Sequence, residues 1–188
     1  MKSVSGAQIS PDGKYVAYTV QQANWDENDF LTQIWIAMPS TGERYQLTSG
    51  KKSSGGPLWA PDSRRLAFTS DRDGKRQIYI IAPAGGEATQ LTAEENGVGA
   101  VGWSPSGDAI AFTSTGPDSK ARKDRKEKYG DYEIIGGDYV MNHLWRVAVP
   151  AEIPQDPKKL PQARGADTWR YLQRDGILLG AGWQADRL

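Results

Sequence analysis

One segment recurs three times along the 188 residues of the chain. Ser10-Pro11-Asp12-Gly13-Lys14-Tyr15-Val16-Ala17-Tyr18-Thr19 returns as Ala60-Pro61-Asp62-Ser63-Arg64-Arg65-Leu66-Ala67-Phe68-Thr69. It returns again as Ser104-Pro105-Ser106-Gly107-Asp108-Ala109-Ile110-Ala111-Phe112-Thr113. Pro11, Pro61 and Pro105 set a period of about 44–50 residues, which is the range of repeat architectures. Trp59 and Trp103 precede the second and third copies at the same offset. A second element follows each copy: Gln33-Ile34-Trp35-Ile36, Gln77-Ile78-Tyr79-Ile80 and His143-Leu144-Trp145-Arg146-Val147. A third element closes the first two units as Leu47-Thr48 and Leu91-Thr92, and in the third unit Leu160 is followed by Pro161.

Each element has a physical reading. Pro-Asp-Gly is a turn, with Pro fixing φ and Gly allowing positive φ. Tyr15 to Val20 is short, aromatic and β-branched, as strands are. Asp71-Arg72-Asp73-Gly74 reads as a hairpin turn between two such strands. Each unit is therefore four short strands: one ending before Ser/Ala-Pro, one after the turn, one around Ile-Trp and one before Leu-Thr. Four antiparallel strands per unit of this length make one blade of a β-propeller. A β-sandwich also spaces its strands evenly but does not repeat the same side chains. The expected fold is all-β, a partial propeller of about three blades at 4–50, 51–95 and 96–160. In this scheme Asp12, Asp62, Asp71 and Asp73 are turn formers, and Trp35, Tyr79 and Trp145 pack between blades.

Composition narrows the function classes. Lys plus Arg equals Asp plus Glu at 23 each, so the net charge is zero. That gives no electrostatic reason to expect nucleic acid or an anionic membrane as the main partner. There is no cysteine and one histidine, His143, which leaves no thiolate zinc site, no cysteine nucleophile and no two-histidine metal motif. No cofactor is expected. No apolar run reaches the length of a membrane span, and Met1 to Ser5 lacks a signal-peptide core. The expected compartment is the cytoplasm, or the periplasm or exterior where a leader has been removed.

The third unit departs from the other two. The stretch from Pro105 to Trp145 is about 20 residues longer than its counterparts, which places an insertion at about 116–141. It opens with the charge run Lys120, Arg122, Lys123, Asp124, Arg125, Lys126, Glu127, Lys128 and continues through Tyr129-Gly130-Asp131-Tyr132 to Gly137-Asp138-Tyr139. The charge run reads as a solvated excursion. The Tyr/Gly/Asp stretch reads equally as surface or as a loop reaching a ligand or a partner domain, because long loops in compact folds tend to be functional. Tyr129, Tyr132, Asp138 and Tyr139 are the candidate site residues.

The order P-D-G-x-x-x-A-Y, I-W, L-T-S-G, W-x-P-D-x-x-x-L-A-F, followed by an insertion ending G-D-Y-x-x-x-H-L-W, resembles the N-terminal propeller of prolyl oligopeptidase family serine peptidases, the acylaminoacyl-peptidase-like branch above all. The resemblance covers about Ser5 to Leu160. The P-D-G and L-T motifs are shared with the Tol-system periplasmic propeller, and the insertion running into His143-Leu144-Trp145 is more specific. The resemblance implies a seven- or eight-bladed propeller over an α/β-hydrolase domain carrying a Ser/Asp/His triad, with access restricted to short or N-acylated peptides. No triad residue transfers. The sequence has no G-x-S-x-G elbow, and His143 opens a strand. The chain alone is expected to have no peptidase activity; its expected partners are the hydrolase domain and peptide. A stand-alone Tol-type protein-binding scaffold is the alternative.

After Leu160 the pattern stops. Residues 161–188 contain neither Leu-Thr nor Pro-Asp-Gly. Read one nucleotide on, the degenerate codons from Ala166 permit L-T-x-G, and those from Ile177 permit F-S-W-A-P-D-G-K-R-I-A-F. The first glycine is forced by the Trp169 codon and the second by that of Trp183; Gln184 forces Lys or Arg. A frameshift between Val149 and Ala166 is the expectation, with a divergent terminus as the alternative. Three blades also leave inter-blade faces open, so self-association of the isolated chain is expected.

Overall fold

The computed structural model describes residues 2–25, 27–115, 120–130, 142–154, 156 and 159–165. Twelve strands form three four-stranded antiparallel sheets. The first holds β1 (Lys2–Ile9), β2 (Val16–Asn24), β3 (Asp29–Met38) and β4 (Glu43–Gln46) in chain order. The second holds β5 (Ser54–Trp59), β6 (Leu66–Ser70), β7 (Gln77–Ile81) and β8 (Thr89–Gln90). The third holds β9 (Val101–Trp103), β10 (Ala109–Ser114), β11 (His143–Ala148) and β12 (Arg164–Gly165). This is the all-β partial propeller that the repeat predicts. The register repeats with it: Tyr18 pairs with Trp35, Phe68 with Tyr79 and Phe112 with Trp145.

The core lies between sheets, because successive side chains on a strand point to opposite faces. Ala17, Ile34, Ile36 and Leu47 of the first blade meet Leu66, Phe68, Tyr79 and Ile81 of the second. Ala67, Ile78, Ile80 and Leu91 on the other face of the second blade meet Ile110, Phe112, Val147 and Val149 of the third. The middle blade is thus covered on both faces, and every residue of β6 and β7 is buried. Tyr79 and Trp145 pack between blades as expected. Trp35 is at the same position, on the face of the first blade that no described element covers.

The motifs now have mechanical roles. Trp59 Nε1 donates to the Gln8 carbonyl at 3.0 Å, and Trp103 Nε1 donates to the Leu58 carbonyl at 3.1 Å. Each tryptophan therefore clasps the inner strand of the preceding blade. The Leu-Thr motif is a latch on the third strand. Thr48 Oγ1 accepts from the Ile34 amide at 2.9 Å and donates to Gln33 Oε1 at 2.8 Å. Thr92 repeats both bonds, to Ile78 and Gln77, at 3.0 and 2.8 Å. In the turn, Asp12 Oδ1 accepts from the Ser10 hydroxyl and the Lys14 amide, and Asp62 accepts from the Arg64 amide at 2.9 Å. These are the turn-forming bonds expected of an Asx residue. Gly13 and Gly107 sit at φ +72°, but the second copy places Ser63 there at φ +60°. Its hydroxyl accepts from the Asp12 amide of the first blade at 3.0 Å, which offsets the strained backbone.

The structure adds to the sequence expectation in one place and differs from it in another. The charge run, expected as a solvated excursion, is an exposed helix, α1 (Lys120–Tyr129). Its residues are strong helix formers, and the Gly130 amide closes the last turn on the Lys126 carbonyl at 2.9 Å. The fourth strand of the third blade lies at Arg164–Gly165, beyond the expected boundary at 160. Gly165 pairs with Trp145 as Gln46 pairs with Trp35 and Gln90 with Tyr79. Leu160-Pro161 is therefore not the counterpart of Leu-Thr.

Candidate functional site

Antiparallel connectivity puts the β2–β3, β6–β7 and β10–β11 connections at one end of the blades and the Pro-containing turns at the other. The insertion thus shares its end with the β2–β3 hairpin, where Trp25 is 86% and Phe30 is 60% exposed. α1 carries six basic and two acidic residues and no apolar stripe. Lys123 Nζ reaches Glu95 Oε2, in the β8–β9 connection, at 2.9 Å. That pair fastens the helix near the junction of the second and third blades; both groups are half-exposed, so its stabilisation is small.

Tyr129 ends α1 and is exposed, with Lys128 Nζ 5.0 Å from its ring centroid. Tyr132, Asp138 and Tyr139 lie outside the described residues. Of the four candidates, the structure therefore places one, on a charged helix at the insertion-bearing end. His143 opens β11 opposite Ser114.

Sequence reasoning placed the inner strands before the Pro-containing turns but missed their bulges. β1 and β5 each carry a bulge, at Ser5–Gln8 and Gly55–Leu58. Gly6 and Gly56 take φ +63° and +61° there, a conformation that suits glycine. A threonine from the second strand braces each bulge. Thr19 Oγ1 donates to the Ser5 carbonyl at 2.9 Å, and Thr69 Oγ1 to the Gly55 carbonyl at 3.3 Å. In the third blade Thr113 Oγ1 accepts from the Ala100 amide at 2.9 Å. These threonines close the repeated decapeptide, so the signal was present in the sequence.

Where the three inner strands converge, a cavity of about 520 Å³ opens, lined by Ser5, Gln8, Thr19, Gly56, Thr69 and Arg76 among others. A neighbouring cavity of about 350 Å³ shares Gly56, Thr69 and Arg76 and adds Thr32 and Asp71. Hydroxyls and an amide are set into a lining that also includes Pro57, Leu58, Ala100 and Val101. It can hydrogen-bond an extended polar ligand, and among the described residues it holds no nucleophile–base pair. Among the described residues no cluster of three or more His, Asp or Glu could hold a metal.

Elsewhere the electrostatics are structural. The Ser106 and Ser104 hydroxyls, with Arg146 beside them, hold the Asp108 carboxyl below its ordinary 3.8. Burial, and then the hydrogen bond to Asp73, push the Tyr79 hydroxyl up. Burial raises Glu94.

The profile of the TolB β-propeller domain (PD40) matches residues 2–136, most of the chain. The chain belongs to the TolB β-propeller family. Within that family it is similar to the uncharacterized peptidase YuxL of Bacillus subtilis, 43% identical over 72 residues. The match takes in 38% of this TolB-type chain and 11% of the relative, so the chain spans a small part of that protein's length. Among solved structures it superposes on an acylaminoacyl peptidase in complex with Z-Gly-Gly-Phe-chloromethyl ketone with a TM-score of 0.59. That alignment is 15% identical and covers 87% of this chain and 25% of the peptidase. TolB from Acinetobacter baumannii superposes with a TM-score of 0.53 at 21% identity, covering 80% of this chain and 31% of that one. At such identities the superpositions establish the shared propeller fold.

Proposed function

We propose that the chain is part of the propeller of a serine peptidase, where it restricts access to an α/β-hydrolase domain to short peptides and performs no chemistry itself. The observation that carries this reading is the 43% identity to an uncharacterized peptidase over 72 residues. The insertion adds to it. α1 and the exposed Trp25 and Phe30 give one end of the blades a charged and aromatic surface suited to a partner domain. A peptide backbone, such as that of the ligand in the acylaminoacyl peptidase structure, can hydrogen-bond the Ser5, Thr19 and Thr69 hydroxyls that line the inner-strand cavity.

The remainder of the peptidase is then encoded downstream in a shifted frame. The register of β12 supports this. Gly165 corresponds to Gln46 and Gln90, so the next residue in sequence, Ala166, takes the place of Leu47 and Leu91. Ala166 is also the codon from which the shifted frame permits L-T-x-G. The test is enzymatic. The gene with its frame restored is expressed, and hydrolysis is measured on peptide anilides of increasing length. The reading expects cleavage that falls steeply with length, and relaxed length selection when residues 116–141 are replaced by a short turn. Equal rates at all lengths, or no hydrolysis, would overturn it.

A further inference from the structure

A repeat separates what the fold needs from what it does not. Gln33, Gln77 and His143 are equivalent positions, so the residue before each is too: Thr32, Arg76 and Asn142. Nothing in the blade plan calls for an arginine at this place, yet Arg76, though exposed, is tied to its neighbour. Its Nε and Nη2 both donate to Thr69 Oγ1, at 3.0 and 2.9 Å. Its carbonyl accepts from the Val98 amide at 2.9 Å. A Cβ at Gly97 would stand 3.0 Å from that same carbonyl, so the β8–β9 connection closes tightly over the Arg76 backbone.

The guanidinium lines both inner-strand cavities. Among the described residues it is the sole ionisable group lining the larger, and in the smaller Asp71 is the other. A guanidinium has five N–H donors, and the two bonds described spend only two of them, on one neutral hydroxyl. Among the described residues no carboxylate lies within ion-pair distance of Arg76, although Asp12, Asp62, Asp108 and Glu95 each pair with a cation. Its planar donor fork fits two carboxylate oxygens at once. The hydroxyls of Ser5 and Thr19 and the Gln8 amide lie along the same cavity wall.

We propose that Arg76 is a carboxylate-binding residue at the inner-strand cavity, selecting short peptides that present a carboxylate. This deepens the proposed function and rests on the cavity being the peptide's route. A free C-terminus and an acidic side chain offer the same chemistry.

Equilibrium dialysis of the 188-residue chain tests this with three probes: N-acetyl-trialanine, its C-terminal amide, and N-acetyl-Ala-Asp-Ala amide. The expected result is that N-acetyl-trialanine binds about tenfold or more tightly than its amide, the margin of a charge-assisted bond. Binding of the aspartyl probe would assign the site to any carboxylate, and failure of that probe alone to the peptide terminus. Arg76→Gln keeps a donor for Thr69 and removes the charge. It should cost the acid about tenfold and leave the amide unchanged, with an unaltered far-UV spectrum; Arg76→Lys should fall between. Equal affinity for acid and amide, no measurable binding of either, or full acid affinity in Arg76→Gln would overturn the site. A restored peptidase that selects by length but ignores the carboxylate would sink this inference and leave the gating reading standing.

Discussion

Trp59 and Trp103 each tie two blades together through one indole N–H, and both were visible as repeated letters without a role. Replacing Trp59 with Phe keeps most of the ring and removes the donor to the Gln8 carbonyl. The expected cost is about 1 kcal/mol, the usual net value of one hydrogen bond, read from denaturant midpoints. Ser63 gives a sharper test of the turn. Its positive φ disfavours any side chain, but its hydroxyl accepts from the Asp12 amide. Ser63→Ala loses the bond and keeps the strain, whereas Ser63→Gly loses the bond and relieves it. Ser63→Ala should therefore be less stable than Ser63→Gly by about 1 kcal/mol. Asp108 sets a pH dependence. Its folded value lies below 3.8 because Ser106, Ser104 and Arg146 favour the charged form. A lowered carboxylate stabilises the fold above the unfolded value, and that contribution is lost as pH falls through the folded one. The stability gap between wild type and Asp108→Asn, measured by urea unfolding, should narrow steadily below pH 4 and be flat above it. At this scale the sequence displayed the turn aspartates and threonines plainly. It gave no sign of Arg76 except that it breaks the repeat, because a lone surface arginine carries no periodicity.

Among the elements, strands were legible because turn chemistry and alternating apolar residues recur three times. The helix in the insertion was not, since a helix with no apolar stripe leaves no period to read. Only its composition favours it. β12 was misplaced for a related reason. A two-residue strand has no pattern of its own, and only its pairing to Trp145 and Arg146 locates it. The Leu-Thr latch can be tested in each of the first two blades. Thr48→Ala or Thr92→Ala removes a buried hydroxyl that serves both an amide and a glutamine. Each should cost about 1–3 kcal/mol through the unsatisfied partners left behind. Among the described residues, α1 contributes none to either core. Replacing 116–141 with a short turn should therefore leave the melting temperature within a few degrees; a loss above about 10 °C would show that the insertion supports the blades.

The whole molecule is asymmetric about its middle blade. Leu66, Phe68, Tyr79 and Ile81 are buried by the first blade. Their counterparts Val16, Tyr18, Trp35 and Ala37 have no described blade against them, and Ile9, at the place of Trp59, is 70% exposed. An apolar sheet face of this kind favours association. The isolated chain should elute above its monomer mass in size-exclusion chromatography with light scattering, and Trp35→Lys with Ile9→Lys should shift it toward monomer. A monodisperse, cooperatively melting wild-type monomer would contradict this. The propeller architecture was readable from the repeat alone, because each blade restates the same packing problem. The molecule's task was not, because the motifs that build blades are common to peptidase and Tol-type propellers and only the insertion and the 72-residue identity lean toward one. The most direct test of that leaning is to sequence the genomic DNA from codon 149 onward past codon 188. The account predicts that reading one nucleotide on restores Leu-Thr and Pro-Asp-Gly blades, followed several hundred codons later by G-x-S-x-G. Downstream DNA that yields neither blades nor a hydrolase in that frame would contradict it.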